Sequence, residues 1–312
     1  MKVLITGGAG YIGTILTEEL LKLEYVKSVY VIDNLMYKQD GLKVFCSQEK
    51  YEFIYGDVRD KNLLNEYLNK VDIVIPLAAL VGFPACEKNR DLATQINYEQ
   101  IKYIANTFKG FILYPNTNSG YGTSDGKNYC DENTKLSPIT HYGITKCEAE
   151  KIILNTGNTA LRLATVFGTS YRFRKDLLVN DFTLKAVQDK YIVLYEHNFK
   201  RNFIHIRDVA NAMIHLITNE SSNFKGEAFN VGLSSANMSK LELCELIKKF
   251  IPSFDIKLSN FSSDPDKRNY IVSNDKIHKT GWRPMYSIQS GIKELIKSYE
   301  VINNTNTNYT NL

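Results

Sequence analysis

A short apolar run that stops in glycines, Lys2-Val-Leu-Ile-Thr-Gly-Gly-Ala-Gly-Tyr-Ile-Gly13, constrains this chain more than any other stretch. It reads as a buried strand that breaks into a helix over about Tyr11 to Leu23. Gly7 lets the chain turn sharply, Gly10 removes the side chain that would keep a pyrophosphate from backbone N–H groups, and Gly13 lets helix and sheet pack closely. The helix start then points unpaired N–H groups and a positive dipole end at the phosphates, so Gly7, Gly10, Tyr11, Ile12 and Gly13 form the expected phosphate cradle. A second apolar run, Ser28-Val-Tyr-Val-Ile32, ends in Asp33, at the distance expected of an acid that hydrogen-bonds the adenosine ribose. A carboxylate there repels a 2′-phosphate, and Asn34-Leu35 supplies no arginine to attract one, which points to NAD rather than NADP. The bland alternative, an ordinary glycine turn in an α/β protein, leaves the placement of Asp33 unexplained.

The 312 residues suffice for one large domain with a lobe or for two domains. Net charge is +4 and the basic residues are scattered, so nucleic acid is not an expected partner. No apolar run reaches the ~18 residues of a membrane span. Met1 leads straight into a strand instead of a signal peptide, and a soluble cytoplasmic protein with no membrane partner is expected. The five cysteines (Cys46, Cys86, Cys130, Cys147, Cys244) are odd in number and widely spaced, without a C-x-x-C pair, which predicts reduced thiols and no metal site.

From Lys2 to about Leu113, short apolar runs alternate with helical segments, the pattern of a doubly wound parallel sheet. Strands are predicted at 2–6, 28–32, 51–55, 71–75 and 110–114, with a further strand at Leu161-Arg-Leu163. After the third, Gly56-Asp57-Val58-Arg59-Asp60 precedes a helical run from Lys61 to about Asn69. Asp57 is placed either to reach an adenine amino group or to cap that helix, and Asp60 is the better cap. The fourth strand runs into Pro76-Leu77-Ala78-Ala79, whose small side chains suit a backbone lying under a flat cofactor, with proline tolerated at a strand end. Apolar spacing predicts a long helix between Asn89 and Phe108. Asn97 lies within it, where a buried amide more often braces a neighbouring loop than touches a ligand.

Chemistry concentrates between Tyr114 and Lys151. Pro115-Asn-Thr-Asn-Ser-Gly-Tyr-Gly122 follows a strand at the carboxyl edge of the sheet, where open α/β sheets bind ligands. Further on, His141-Tyr-Gly-Ile-Thr-Lys146 opens a helix whose Tyr142 and Lys146 share one face, one turn apart. A nearby ammonium would stabilise a tyrosinate and lower its pKa from about 10, which turns a poor base into a usable one. Thr169 to Asp181, rich in Arg and aromatics, has no period. It is either a solvated basic loop or a substrate loop in which Arg172 and Arg174 pair with a diphosphate and Asn180 donates to it. His205 on an apolar strand reads as a structural histidine. Ser239 caps a helix from Lys240 to Phe250, Asp264-Pro265 is a turn, and a last helix runs from about Ile288 to Val301. The Asn308-Tyr-Thr310 sequon has no meaning in a cytoplasmic protein, and no internal repeat is found.

The set Thr6 to Gly13, Gly56-Asp-Val58, Leu77-Ala-Ala79, Tyr121-Gly122, Tyr142-Gly-Ile-Thr-Lys146 and Phe203-Ile-His-Ile-Arg-Asp-Val-Ala210 resembles the extended short-chain dehydrogenase/reductase family, the nucleotide-sugar epimerases and dehydratases, to about Tyr299. Pro115 to Gly122 and Tyr171 to Leu177 resemble a bacterial subgroup acting at C4 of capsule sugars, which implies a GDP-sugar, specifically a GDP-heptose. The resemblance implies Tyr142 as general base, Lys146 as its partner and the nicotinamide ribose donor, and Thr117 as the hydroxyl on the reacting sugar oxygen. It also implies cofactor contacts from Asn34, Asp57, Val58, Leu77, Ala78, Ala79 and Asn97, and substrate contacts from Val81, Gly82, Asn118, Ser119, Arg201 and Arg268. It further implies a homodimer through a four-helix bundle of the helices near 89–108 and 141–156, and a division into an NAD-binding domain (1–167 and 192–232), a nucleotide-sugar lobe (168–191 and 233–302) and a disordered tail (303–312). Some family features are missing. Asn116-Thr-Asn-Ser119 replaces the usual serines, Asn118-Ser119 stands where dehydratases carry an Asp-Glu pair, Pro76 replaces a histidine, and Arg201-Asn202 replaces Arg-Asp. NAD-dependent oxidation at C4 is the expected reaction, with release of the 4-keto sugar, its reduction on the other face, and the reverse ketone reduction left open. A non-catalytic NAD(H)-binding regulator is the alternative from another class.

Overall fold

The structure is a computed structural model that describes residues 1–124, 128–218, 224–259 and 268–302. The predicted Asp264-Pro265 turn, the Asn308-Tyr-Thr310 sequon and the 303–312 tail lie outside the described residues.

Seven parallel strands form the central sheet: β1 (Lys2–Thr6), β2 (Ser28–Asp33), β3 (Tyr51–Tyr55), β4 (Ile73–Pro76), β5 (Phe111–Thr117), β7 (Thr159–Leu163) and β11 (Ala228–Val231), in the order β3-β2-β1-β4-β5-β7-β11. The chain winds outward from β1 in both directions, so the switch point lies between β1 and β4. The inner strands are largely apolar because both faces are covered, whereas the edge strand β3 is partly exposed. Val3, Ile5, Val31 and Ile75 pack with α1 (Tyr11–Leu21) and α8 (Ile206–Thr218) on one side. Leu4, Ile32, Val74 and Tyr114 pack with α2 (Lys61–Leu68), α5 (Gln100–Thr107) and α6 (His141–Asn155) on the other.

Two short helices, α3 (Phe83–Lys88) and α4 (Arg90–Thr94), precede α5. A smaller lobe gathers α7 (Leu178–Gln188), α9 (Lys240–Lys248) and α11 (Ile288–Ile302) around Phe167, Phe203, Leu243, Phe254 and Tyr299. Its strands form the three-stranded sheet β12 (Asn237–Ser239), β10 (Lys200–His205) and β8 (Thr165–Phe167), and the pair β13 (Asp255–Leu258) and β9 (Tyr191–Leu194). A further pair joins β14 (Ile271–Val272) to β6 (Tyr129–Cys130), and α10 (Asp275–Lys279) follows. Among the described residues no helix is long and apolar enough to cross a membrane.

Three expectations are corrected. The fifth strand continues through Pro115 to Thr117, because β4 pairs β5 only at Phe111 and Ile112, and beyond them a missing N–H on that side breaks no ladder. The predicted helix 89–108 is interrupted by a wide π-type turn at Gln95–Glu99 between α4 and α5. The aperiodic stretch 169–181 ends early, since α7 begins at Leu178 with Asp181 in its first turn. Ser239 does cap α9, in a reciprocal capping box with Glu242.

Beneath the carboxyl ends of β5 and β7, a buried ion pair ties α6 to the sheet. Arg162 Nη2 on β7 lies 2.7 Å from Glu150 Oε1 on α6, and the two side chains are 7% and 2% exposed. Arg162 also donates to the Tyr121 hydroxyl and the Glu132 carbonyl, and Asn116 donates to Glu150. Breaking such a pair strands a charge in a dry interior. Arg162→Met should therefore cost roughly 3–5 kcal/mol in urea unfolding, with much of the loss recovered in the Arg162→Met/Glu150→Leu double variant. Equal loss in both variants would refute the charge argument.

Candidate active site

The sheet's carboxyl edge opens into a cleft of about 700 Å³ lined by the glycine turn, Asp33, Thr117, Tyr142, Lys146 and several arginines. At the turn, Gly7 has φ +69°, and a Cβ there would stand 2.5 Å from the Ala78 backbone. A Cβ on Gly13 would meet Gly8 Cα at 2.5 Å. Gly10, extended at the start of α1, carries no side-chain cap, so the first N–H groups of the helix face the cleft unclaimed by a side chain. Tyr11 and Ile12 line the same wall.

Asp33 is 7% exposed. One oxygen accepts from the Ala9 N–H at 3.0 Å, and the other from the Leu35 N–H at 2.8 Å and the Gln39 amide at 3.2 Å. Burial raises its pKa, and the two backbone N–H groups oppose that. An open helix start with a fixed acid beside it fits a dinucleotide, with phosphates on the N–H groups and a ribose on Asp33.

Val58, Leu77, Ala78, Ala79, Val81 and Gly82 also line the cleft. Asp57 lines it too, but its carboxylate is held by Arg59 and Asn34, and hydrogen bonding from Arg59 draws its pKa down to about 2 despite burial. Asp60 is the cap of α2, accepting from Asn62 and Leu63.

Three residues named as ligand contacts stand behind the wall, and one of them, Asn97, takes the bracing role that its place in the helix predicted. Asn97, 1% exposed and set by the wide turn, accepts from Leu80 N–H at 2.8 Å and donates to Leu80 O at 3.0 Å, which braces the loop after β4. Asn180 is fully buried. It accepts from the Gly168 N–H and donates to the Arg174 carbonyl, so it holds the basic loop instead of donating into the cleft. Asn118 is 1% exposed, and neither end of its amide has a hydrogen-bond partner.

Tyr142 and Lys146 both face the cleft from α6, whose start is capped by Thr140. The expected lowering of the tyrosine pKa by the lysine is not what the geometry produces. Lys146 Nζ donates to Pro115 O at 2.6 Å and lies 4.2 Å above the Tyr114 ring, while Tyr142 is bordered by the thiols of Cys86 and Cys147. Burial pushes the Tyr142 phenol up to about 12 and the Lys146 ammonium down to about 7.

Thr117 caps the turn after β5. It accepts from the Ser119 N–H at 3.1 Å and donates to the Ser119 hydroxyl at 2.9 Å, which also accepts from Arg268. Arg201 lies 5.4 Å from the Tyr270 ring centroid. Arg174 is paired with Asp176, and Arg172 donates to the Phe173 carbonyl. His205 is fully buried, bonded to Glu294 at 3.1 Å and stacked on Tyr286.

Sequence reasoning missed Tyr37 and Gln39 on the cleft wall, and Glu150 beneath it. Glu150 had a signal, since it lies one turn beyond Lys146 on the same helical face. Tyr37 and Gln39 had none, because their loop owes its shape to non-glycine residues at positive φ.

The sequence pattern of the NAD dependent epimerase/dehydratase family matches residues 3–232. The chain is 28% identical over 334 residues to a CDP-paratose 2-epimerase of Salmonella typhi, covering 95% of this chain and 98% of the relative. It is 26% identical over 332 residues to the dTDP-D-glucose 4,6-dehydratase of Bos taurus, covering 96% and 88%. In fold it is similar to the UDP-glucuronic acid 4-epimerase of Bacillus cereus, solved with UDP-glucuronic acid and NAD (TM-score 0.85, 21% identity, 97% and 100% covered). It is also similar to the dTDP-glucose 4,6-dehydratase of Bacillus anthracis, solved with NAD (TM-score 0.82, 21% identity, 96% and 97% covered). A match across nearly three quarters of the chain, including the whole glycine turn and the Tyr142/Lys146 helix, means that this protein belongs to the NAD-dependent epimerase/dehydratase family, enzymes that use NAD on nucleotide sugars.

Proposed function

We propose that the enzyme oxidises C4 of the sugar in a nucleotide-activated sugar, with Tyr142 as base. The observation that carries this reading is the meeting of Thr117, Tyr142 and Lys146 in the cleft that also holds the glycine turn. Bound NAD supplies the hydride acceptor and a positive charge on its nicotinamide ring. Tyr142 takes the C4 hydroxyl proton, and Thr117 fixes the sugar oxygen from the end of β5. Lys146 reaches the cofactor ribose, while Arg268 and Arg174 are the cations that oppose the burial keeping the Tyr142 phenol protonated. Arg201 and Arg268 pair with the diphosphate. The resemblance of Pro115–Gly122 and Tyr171–Leu177 to C4-acting capsule enzymes supports a GDP-heptose as substrate. The 4-keto product is either released or reduced on its other face. Asn118 and Ser119 supply no carboxylate for eliminating water. A homodimer through a four-helix bundle of the segments near 89–108 and 141–156 accompanies this reading.

The test is incubation with GDP-, UDP-, CDP- and dTDP-sugars followed by mass spectrometry. A nucleotide sugar lighter by two hydrogens is expected, or, where the ketone is reduced again, a C4 epimer of the substrate that has the substrate's mass and is separated from it by chromatography; a product lighter by one water would contradict the proposal. Tyr142→Phe should lower kcat by about 10²- to 10⁴-fold while NAD binds nearly as before. Thr117→Val deletes one hydrogen bond and should cost about 1–3 kcal/mol in kcat/KM. Retention of more than about a tenth of wild-type kcat by Tyr142→Phe would show that the base lies elsewhere.

Lys146 also makes a stability prediction. The unfolded chain keeps this proton up to the ordinary value of 10.5 and the folded chain only up to about 7. Between these values the unfolded state binds more protons, so stability rises with pH, and the penalty is full below about 7. Lys146→Met should therefore melt higher than wild type in cofactor-free protein at pH 6, with the gap closing toward pH 10, while NAD binding and turnover are both impaired. A variant that melts lower at every pH would contradict the desolvation argument.

A further inference from the structure

The loop after β2 is strained. Leu35 and Lys38 stand at φ +51° and +54° without being glycine, a conformation that costs energy unless the surroundings impose it. Side chains do impose it: Asp33 accepts from Leu35 N–H, Asn34 from Met36 N–H at 3.1 Å, and Gln39 from Tyr37 N–H at 3.0 Å, while Gln39 itself donates to Asp33. The result is Tyr37 held on the wall beside the ribose acid. Against its ring lies the Arg172 guanidinium, 5.6 Å from the centroid and 5% exposed.

Arg172 comes from the basic loop, yet the root of that loop is fastened to the cofactor side. The Tyr11 hydroxyl donates to Gly168 O at 2.7 Å, Ser170 donates to Tyr11 O at 2.7 Å, and the Thr14 and Ser170 hydroxyls are 2.8 Å apart. Tyr171 packs edge-on against Phe45 at 5.4 Å, and a Cβ on Gly41 would meet the Tyr171 carbonyl oxygen at 2.8 Å.

We propose that Tyr37 and Arg172 form a strap across the Asp33 side of the cleft that holds the dinucleotide, so that Arg172 serves the cofactor and not the nucleotide sugar. A guanidinium held over an aromatic face is preorganised to stay there when a ligand enters beneath it. This inference rests on the NAD site and is independent of which sugar carbon reacts.

The experiment is stopped-flow dissociation of NADH, followed by its fluorescence, alongside equilibrium binding of GDP and UDP to the NAD-loaded protein. Arg172→Ala and Tyr37→Ala should each speed NADH release by about tenfold. Tyr37→Phe, which keeps the ring, should stay within about twofold of wild type, and nucleoside diphosphate affinity should change less than about threefold in all three. Unchanged NADH release with weakened diphosphate binding would return Arg172 to the substrate and overturn the proposal. An equal loss of both ligands would overturn it as well, since that is the signature of a collapsed loop.

Discussion

Everything at this site depends on one buried charge. Lys146 sits where α6 crosses the end of β5, its ammonium on the Pro115 carbonyl and above the Tyr114 ring. Among the described residues no carboxylate pairs with it directly, and desolvation draws its pKa to about 7. A protein selected for stability alone would put an apolar side chain there. The position is maintained by rigid neighbours: the Glu150–Arg162 pair one turn further along α6, and a strand that runs through a proline because its β4 partner has already ended. The reactive groups thus rest on a helix and a strand, while Arg201 rests on β10 and Arg172 and Arg174 on a loop whose root is fastened to α1.

The same economy appears on the cofactor side. The turn at Gly7 demands glycine because the Leu77-Ala78 backbone that follows β4 occupies the space a Cβ would need. The wide turn at Gln95–Glu99 has a comparable effect at longer range, since it delivers the Asn97 amide to both backbone groups of Leu80 and holds the loop that follows. Buried asparagines act as braces in this fold more than as ligands, and Asn180 under the basic loop is another case.

Much of this was legible in the chain because its determinants are local. The glycine turn, the acid ending β2 and the Tyr142/Lys146 spacing each lie within one strand, one turn or one helix, and the structure brings them together in a single cleft. What was not legible depends on partners distant in sequence. The side that Arg172 faces is decided by Tyr37, the brace role of Asn180 by Gly168 and Arg174, and the sign of the Tyr142 shift by burial against Cys86 and Cys147 instead of by the nearby lysine. Spacing on a helix puts two side chains on one face, but it does not say which acceptor the longer one will choose.

The most direct measurement is a single turnover with a nucleotide sugar deuterated at C4, followed at 340 nm with mass analysis of the cofactor. If Tyr142 and the cofactor act at C4, NADH forms more slowly with the label than without it, and deuterium is found on the nicotinamide. If the label stays on the sugar and the rate is unaffected by it, oxidation occurs at another carbon, and the assignment of this cleft to C4 chemistry is wrong.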